Sequence, residues 1–117
     1  MNPTQKDQSP LDIVNQRMTA HNNHDLDAFL SLYSEEIQIY NFPDRKIGRK
    51  GKAHLKSIFD PLFKAADVSV DIHTQIEQGR YVINEETVIR QGETFRYVSI
   101  YEVVGGLIKS VRFIRES

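Results

Sequence analysis

The stretch Asn84-Glu85-Glu86 sets two carboxylates inside a run rich in β-branched residues, where an acid on an inward strand face can give or take a proton. Alternation places Val82, Asn84, Glu86 and Val88 on one side and Tyr81, Ile83, Glu85, Thr87 and Ile89 on the other. Parity alone does not choose the inner side. Asn41 closes an earlier alternating run in which Ile37 and Ile39 share a face, and their parity sends Asn41 inward. An amide has no usable proton-accepting pKa, so Asn41 can only donate or accept a hydrogen bond. Tyr97 and Tyr101 share a side with Phe95, Ser99 and Val103. An inward tyrosine either supplies core area with one satisfied hydroxyl or polarises a ligand. Phe29, Tyr33, Phe59, Phe63 and Phe113 are simple core, or the apolar walls of a pocket if some of them leave space.

Other candidate chemistries are weaker. His21 and His24 stand three apart near a helix end, without a third ligand close in sequence or an H-E-x-x-H pattern, and His54 and His73 are scattered. No metal site is expected. His73 alternates with Asp71 and Ser69, opposite Val68, Val70 and Ile72, and so faces solvent or a partner subunit. The run from Arg45 to Lys56 holds Arg45, Lys46, Arg49, Lys50, Lys52 and Lys56 with no acid among them. It reads as a solvated loop leading into a helix, since nucleic-acid binding would want exposed aromatics or a recognition helix beside it. An anion held at that helix start is the other use of the same charges.

These residues have to be positioned by a helical first half and a strand-rich second half, an order that predicts an α+β domain. Ser9, Pro10 and Asp12 mark a helix from about Pro10 to His21. Asp25 caps a second, whose apolar stripe is Leu26, Phe29, Leu30 and Tyr33. After Gly51 a third helix is marked by Leu55, Ile58, Phe59, Leu62 and Phe63, with a kink or break expected near Asp60 because Pro61 lacks a donor. Four strand-like runs follow, separated by Gly79, Gly92 and Gly105-Gly106, and form an antiparallel meander. With the run before Asn41 this makes about five strands. Residues 1–9 are expected to be a flexible N-terminus and 10–117 one domain.

Composition bounds the rest. The 117 residues are 39% hydrophobic and 26% charged, with a net charge of -1, which gives no global reason to expect nucleic acid or an anionic membrane as partner. Without cysteine there is neither a disulfide framework nor a thiolate metal site, which suits a reducing compartment. The first ten residues have no apolar signal core and no run is long and uncharged enough to span a bilayer, so a cytoplasmic location is expected.

The order of elements, the helical "NNHDLDAFLSLYSEE" and the terminal "VSIYEVVGGLIKSVRFI" resemble the nuclear transport factor 2-like superfamily, in its SnoaL-like and ketosteroid-isomerase-related branch. The likeness spans about residues 10 to 115 and implies a cone-shaped, curved antiparallel sheet with three N-terminal helices, a cystatin-like α+β barrel. The related isomerases carry a base at the end of the first strand, a tyrosine on the first helix and a protonated acid on a later strand. Those positions fall on Asn41, Arg17 and Tyr101, none of them the isomerase residue. The resemblance therefore argues against ketosteroid isomerisation. It also favours the Glu86 side as inner, because aligned positions in related isomerases line the pocket. Glu86 is thus the candidate acid or base, or else a structural carboxylate paired with Arg17 or hydrogen-bonded to Tyr101.

The expected function is that of a small-molecule-binding SnoaL-like protein with a partly apolar pocket built from Arg17, Asn41, Asn84, Tyr101, Phe59 and Phe113, taking a hydrophobic or mixed-polarity ligand and no cofactor. The alternative is an isomerase, cyclase or hydratase-type enzyme that uses Glu86. Val98, Ile100, Val104, Ile108 and Ile114 are expected on the outer sheet face, too apolar for solvent, and predict a homodimer of the kind common in the resembled superfamily.

Overall fold

A computed structural model describes residues 8–42 and 47–115, with backbone alone at 41, 42 and 47–50. Three helices, α1 (Pro10–Asn22), α2 (Leu26–Ser31) and α3 (Lys52–Lys64), accompany six strands: β1 (Tyr33–Phe42), β2 (Ile47–Lys50), β3 (Val68–Gln78), β4 (Tyr81–Arg90), β5 (Glu93–Val104) and β6 (Leu107–Arg115). The fold class is the expected α+β. Of the expected flexible N-terminus, residues 1–7 lie outside the described residues, while Ser9 already caps α1.

Both N-caps work as their residue types require. The Asp12 N–H donates to Ser9 Oγ at 3.1 Å, and the Ala28 N–H to Asp25 Oδ1 at 3.1 Å. α2 is shorter than its apolar stripe implied, because Tyr33 already belongs to β1; it is buried there all the same. α3 runs without a break to Lys64 despite Pro61. Pro61 and Ser57, whose carbonyl loses its partner, both lie on the exposed face, so solvent can satisfy what the proline leaves open.

The strands run in the order β2-β1-β6-β5-β4-β3. β3 to β6 form the antiparallel meander, β2 pairs antiparallel with β1, and β1 pairs parallel with β6. The five expected strands are therefore joined by a sixth, short edge strand. It occupies part of the basic run that was expected to be a loop; Arg45 and Lys46 lie outside the described residues. Gly51, at φ 91°, gives the left-handed turn that carries β2 into α3, and its N–H donates to the Ile37 carbonyl at 2.7 Å. Among the basic side chains described, Lys52 approaches Glu35 at 3.6 Å.

The helices cover the inner face of the sheet, and the core lies between them. α1 contributes Ile13, Val14 and Met18, α2 contributes Phe29 and Leu30, and the strands answer with Ile37, Val70, Val82, Tyr101, Val103 and Val111, all buried. One outer-face expectation is corrected: Ile108 is fully buried. The β5–β6 register passes from Glu102↔Ser110 to Val103↔Ile108 and skips Lys109, so the extra residue flips the parity of Ile108 into the core. Val104 and Ile114 are 45% and 37% exposed, as expected of outer-face positions, and Val98 and Ile100 are half-buried. His73 is exposed on β3 and meets the Thr87 hydroxyl at 2.6 Å through its Nε2.

Candidate functional site

Between the helices and the inner sheet face lies a cavity of about 260 Å³, lined by Arg17 and His21 of α1, Leu55, Ile58, Phe59 and Leu62 of α3, and Ile39, Val68, Glu86, Val88, Arg90, Tyr97 and Phe113 of the sheet. Arg17 and His21 are four residues apart on one helix and so project on the same side. Ile58, Phe59 and Leu62 follow from the same periodicity on α3. The walls are mainly apolar, and the polar side chains enter from three elements, Arg17 and His21 from α1, Glu86 and Arg90 from β4 and Tyr97 from β5, a combination that can orient a small ligand.

Glu86 is 2% exposed, whereas its neighbour Glu85 is exposed, so the question that alternation left open has a structural answer. Its Oε1 accepts from the Ser99 hydroxyl at 2.7 Å and, at the limit of hydrogen bonding, from the Tyr101 hydroxyl at 3.5 Å; Oε2 accepts from Asn84 Nδ2 at 3.4 Å. Ser99 can reach because β4 and β5 place Asn84 opposite Ser99 and Glu86 opposite Tyr97. Asn84 is held in turn by Gln75 Nε2, which donates to its Oδ1 at 2.9 Å. One short hydrogen bond and two long ones leave the carboxylate with accepting capacity toward the cavity.

Arg17 is buried, but its partner is not Glu86. Its Nε–H donates to the Tyr33 hydroxyl at 2.9 Å, and the guanidinium sits 5.0 Å from the Phe29 ring centre and 5.6 Å from that of Tyr101. Burial opposes its charge, and the influence of Tyr101, Tyr33 and Glu86 outweighs burial, so Arg17 is held more firmly protonated than a free arginine. Burial also raises the pKa of Tyr101 and of Tyr33, both of which stay neutral hydroxyls. His21 contrasts with Arg17. Burial first, and then the Arg17 charge, lower its pKa to about 3, leaving a neutral ring among Phe29, Phe59 and Phe63.

Of the residues picked out by sequence, Glu86, Arg17, Phe59 and Phe113 line the cavity. Asn84 and Tyr101 do not: both are fully buried behind Glu86 and bind it from the rear, because alternation fixes a side but not a depth. Asn41 pairs with Phe113 along β1 and β6, and its side chain lies outside the described residues. Tyr97, one of the two tyrosines expected inward, lines the cavity, and His21 and Arg90 are wall residues that the sequence reading does not name as such. The spacing of His21 from Arg17 was a usable signal, and Arg90 continues the Glu86 and Val88 alternation at the end of β4. Among the described residues no group of three or more His, Cys, Asp or Glu side chains could hold a metal ion, and no helix is long and apolar enough to cross a membrane.

This architecture has close parallels among solved structures. An NTF2-like protein of unknown function from Cytophaga hutchinsonii is 18% identical with a TM-score of 0.82, over 99% of this chain and 95% of that one. An uncharacterised cystatin-fold protein from Novosphingobium aromaticivorans is 25% identical with a TM-score of 0.82, over 92% of this chain and 99% of that one. A computationally designed 17-OHP binder is 24% identical with a TM-score of 0.77, over 91% and 90%. No curated protein matches the sequence. The profile of the SnoaL-like domain, however, matches residues 14–111, from α1 into the last strand, and on that match the chain belongs to the SnoaL-like domain family within the NTF2-like superfamily.

Proposed function

We propose that this chain binds a small, largely apolar molecule in the cone, with a polar end turned toward Arg17, His21 and Glu86. The observation that carries the reading is the cavity itself, in which apolar walls from α3 and the sheet surround a polar end that includes Arg17, His21 and Glu86. At about 260 Å³ it lies just below the range of about 300–1,000 Å³ usual for pockets of drug-sized ligands, which favours a small occupant. A designed 17-OHP binder with the same fold supports the reading. Nuclear magnetic resonance with a panel of bicyclic aromatic molecules is the test. Saturable shifts at Phe59, Leu62, Val88 and Phe113, lost when Val88→Phe fills the space, are expected; shifts confined to the outer sheet face would defeat the proposal.

A second reading is favoured by one observation, that Glu86 reaches the cavity without an ion pair to Arg17. In it the carboxylate takes a proton from the carbon next to a ligand carbonyl, the electron pair moves onto the carbonyl oxygen, Arg17 stabilises that oxyanion, and Glu86 returns the proton. Deuterium uptake by 2-tetralone, abolished in Glu86→Gln with binding kept, is the expected result. No uptake above the buffer rate leaves binding alone.

For the assembly we propose a homodimer through the outer face of β5 and β6, on the exposure of Val104 and Ile114 beside half-buried Val98 and Ile100.

A further inference from the structure

His21 is more than an apolar wall residue. The Asn22 side chain is held from both sides by one residue of β3: its Oδ1 accepts from the Val70 N–H at 2.8 Å, and its Nδ2 donates to the Val70 carbonyl at 2.9 Å. Those two bonds fix which end of the amide is oxygen. The same Oδ1 lies 3.3 Å from His21 Nδ1, and an amide oxygen can only accept. In the neutral ring the proton therefore sits on Nδ1, and Nε2 carries a lone pair. That lone pair has no hydrogen-bond partner among the described residues, yet Nε2 is not a sealed, orphaned atom, and His21 lines the cavity. Its ring is wedged by Phe29, Phe59 and Phe63 at 6.1, 6.0 and 5.6 Å between ring centres, which restricts rotation. The cavity thus holds, beside the Arg17 cation, a fixed neutral acceptor.

We propose that His21 is a ligand-selecting residue, whose bare Nε2 accepts a hydrogen bond from a hydroxyl group so that the cavity prefers an alcohol or phenol to a molecule of the same shape without that donor. The inference rests on the binding reading given above and names the class of ligand. A hydroxyl is the group that suits both neighbours, since it donates to Nε2 while its oxygen accepts from the Arg17 guanidinium, which has donors to spare. A methyl group of similar size would leave both unmet, and such mismatches at a built polar site are strongly discriminated.

The probes are 2-naphthol and 2-methylnaphthalene, titrated into the native protein and into His21→Phe and Glu86→Gln. The ratio of the two dissociation constants is expected to shift about tenfold toward 2-methylnaphthalene in His21→Phe, and to move less in Glu86→Gln. Nitrogen-15 spectra of the native protein supply a readout that survives if His21→Phe does not fold. They should show a protonated Nδ1 and a bare Nε2, with the Nε2 signal moved by 2-naphthol and not by 2-methylnaphthalene. A ratio unmoved by His21→Phe, or a ring protonated on Nε2, overturns the role of His21 while leaving the binding site standing. If neither probe binds the native protein, the binding reading itself falls, and the hydroxyl preference with it.

Discussion

Arg17 Nε–H donates to the Tyr33 hydroxyl at 2.9 Å and makes no ion pair with Glu86, although both charged side chains line one cavity. A hydrogen-bonded buried ion pair, when broken, loses about 3–5 kcal/mol, whereas one hydrogen bond between a charged group and a neutral hydroxyl is worth about 1.5–3 kcal/mol. The two arrangements are therefore separable by stability. Tyr33→Phe is expected to destabilise by about 1.5–3 kcal/mol and Glu86→Gln by only about 1 kcal/mol, measured by urea unfolding. A loss above about 3 kcal/mol in Glu86→Gln would mean that the carboxylate is the true counter-charge of Arg17.

Acid should weaken the fold through His21. Its pKa falls from 6.5 to about 3 on folding, by burial first and then by Arg17, with His24 adding a smaller push in the same direction. A base with a depressed folded pKa leaves the unfolded chain binding more protons, so its stabilising effect is complete above the unfolded value and declines as pH drops toward the folded one. Between about pH 7.5 and about pH 4.5 the loss should be about 2–3 kcal/mol. Urea midpoints at both ends check it against His21→Phe, in which this part of the slope should vanish.

Phe29 is the hub of the aromatic cluster, with ring centres of Tyr33, Phe59 and Phe63 at 5.1, 4.7 and 5.2 Å and no exposure of its own. Phe29→Ala should remove about 3–5 kcal/mol, a large share of the total for a small domain. Thermal unfolding measures it; a loss under about 1 kcal/mol would show that the cluster is loosely packed.

The proposed dimer predicts sedimentation at twice the 13.5 kDa chain mass at micromolar concentration. Because Val104 and Ile114 are exposed on the isolated chain, Val104→Lys with Ile114→Lys should yield a folded monomer. A native protein that sediments only as the single chain removes the proposal.

Local chemistry made most of the fold legible. Ser9 and Asp25 cap where their side chains had to, and the glycine-bounded runs became β3 to β6 within a residue or two. What escaped was set by distance. β2 is four residues without an apolar pattern and exists because β1 offers an edge; Ile108 turns inward because of one skipped residue at Lys109. At the site, the resemblance singled out Glu86 and Arg17, while periodicity marked Phe59 and Phe113. It could not separate Asn84 and Tyr101, which lie behind the wall, from residues in it. Nor could it foresee that Val70, 48 positions from Asn22, would decide which nitrogen of His21 carries a proton.

The parallel pairing of β1 with β6 also orders events in time. Their partners, such as Tyr33 with Ile108 and Phe42 with Ile114, stand about seventy residues apart, so β1 stays unpaired on that side while the intervening chain is made. At about 5–20 residues per second that wait lasts several seconds on the ribosome, with Ile37 and Ile39 uncovered by their final neighbour. Completion of the cone should therefore be a late, slow step, and β1 the segment that a chaperone meets first.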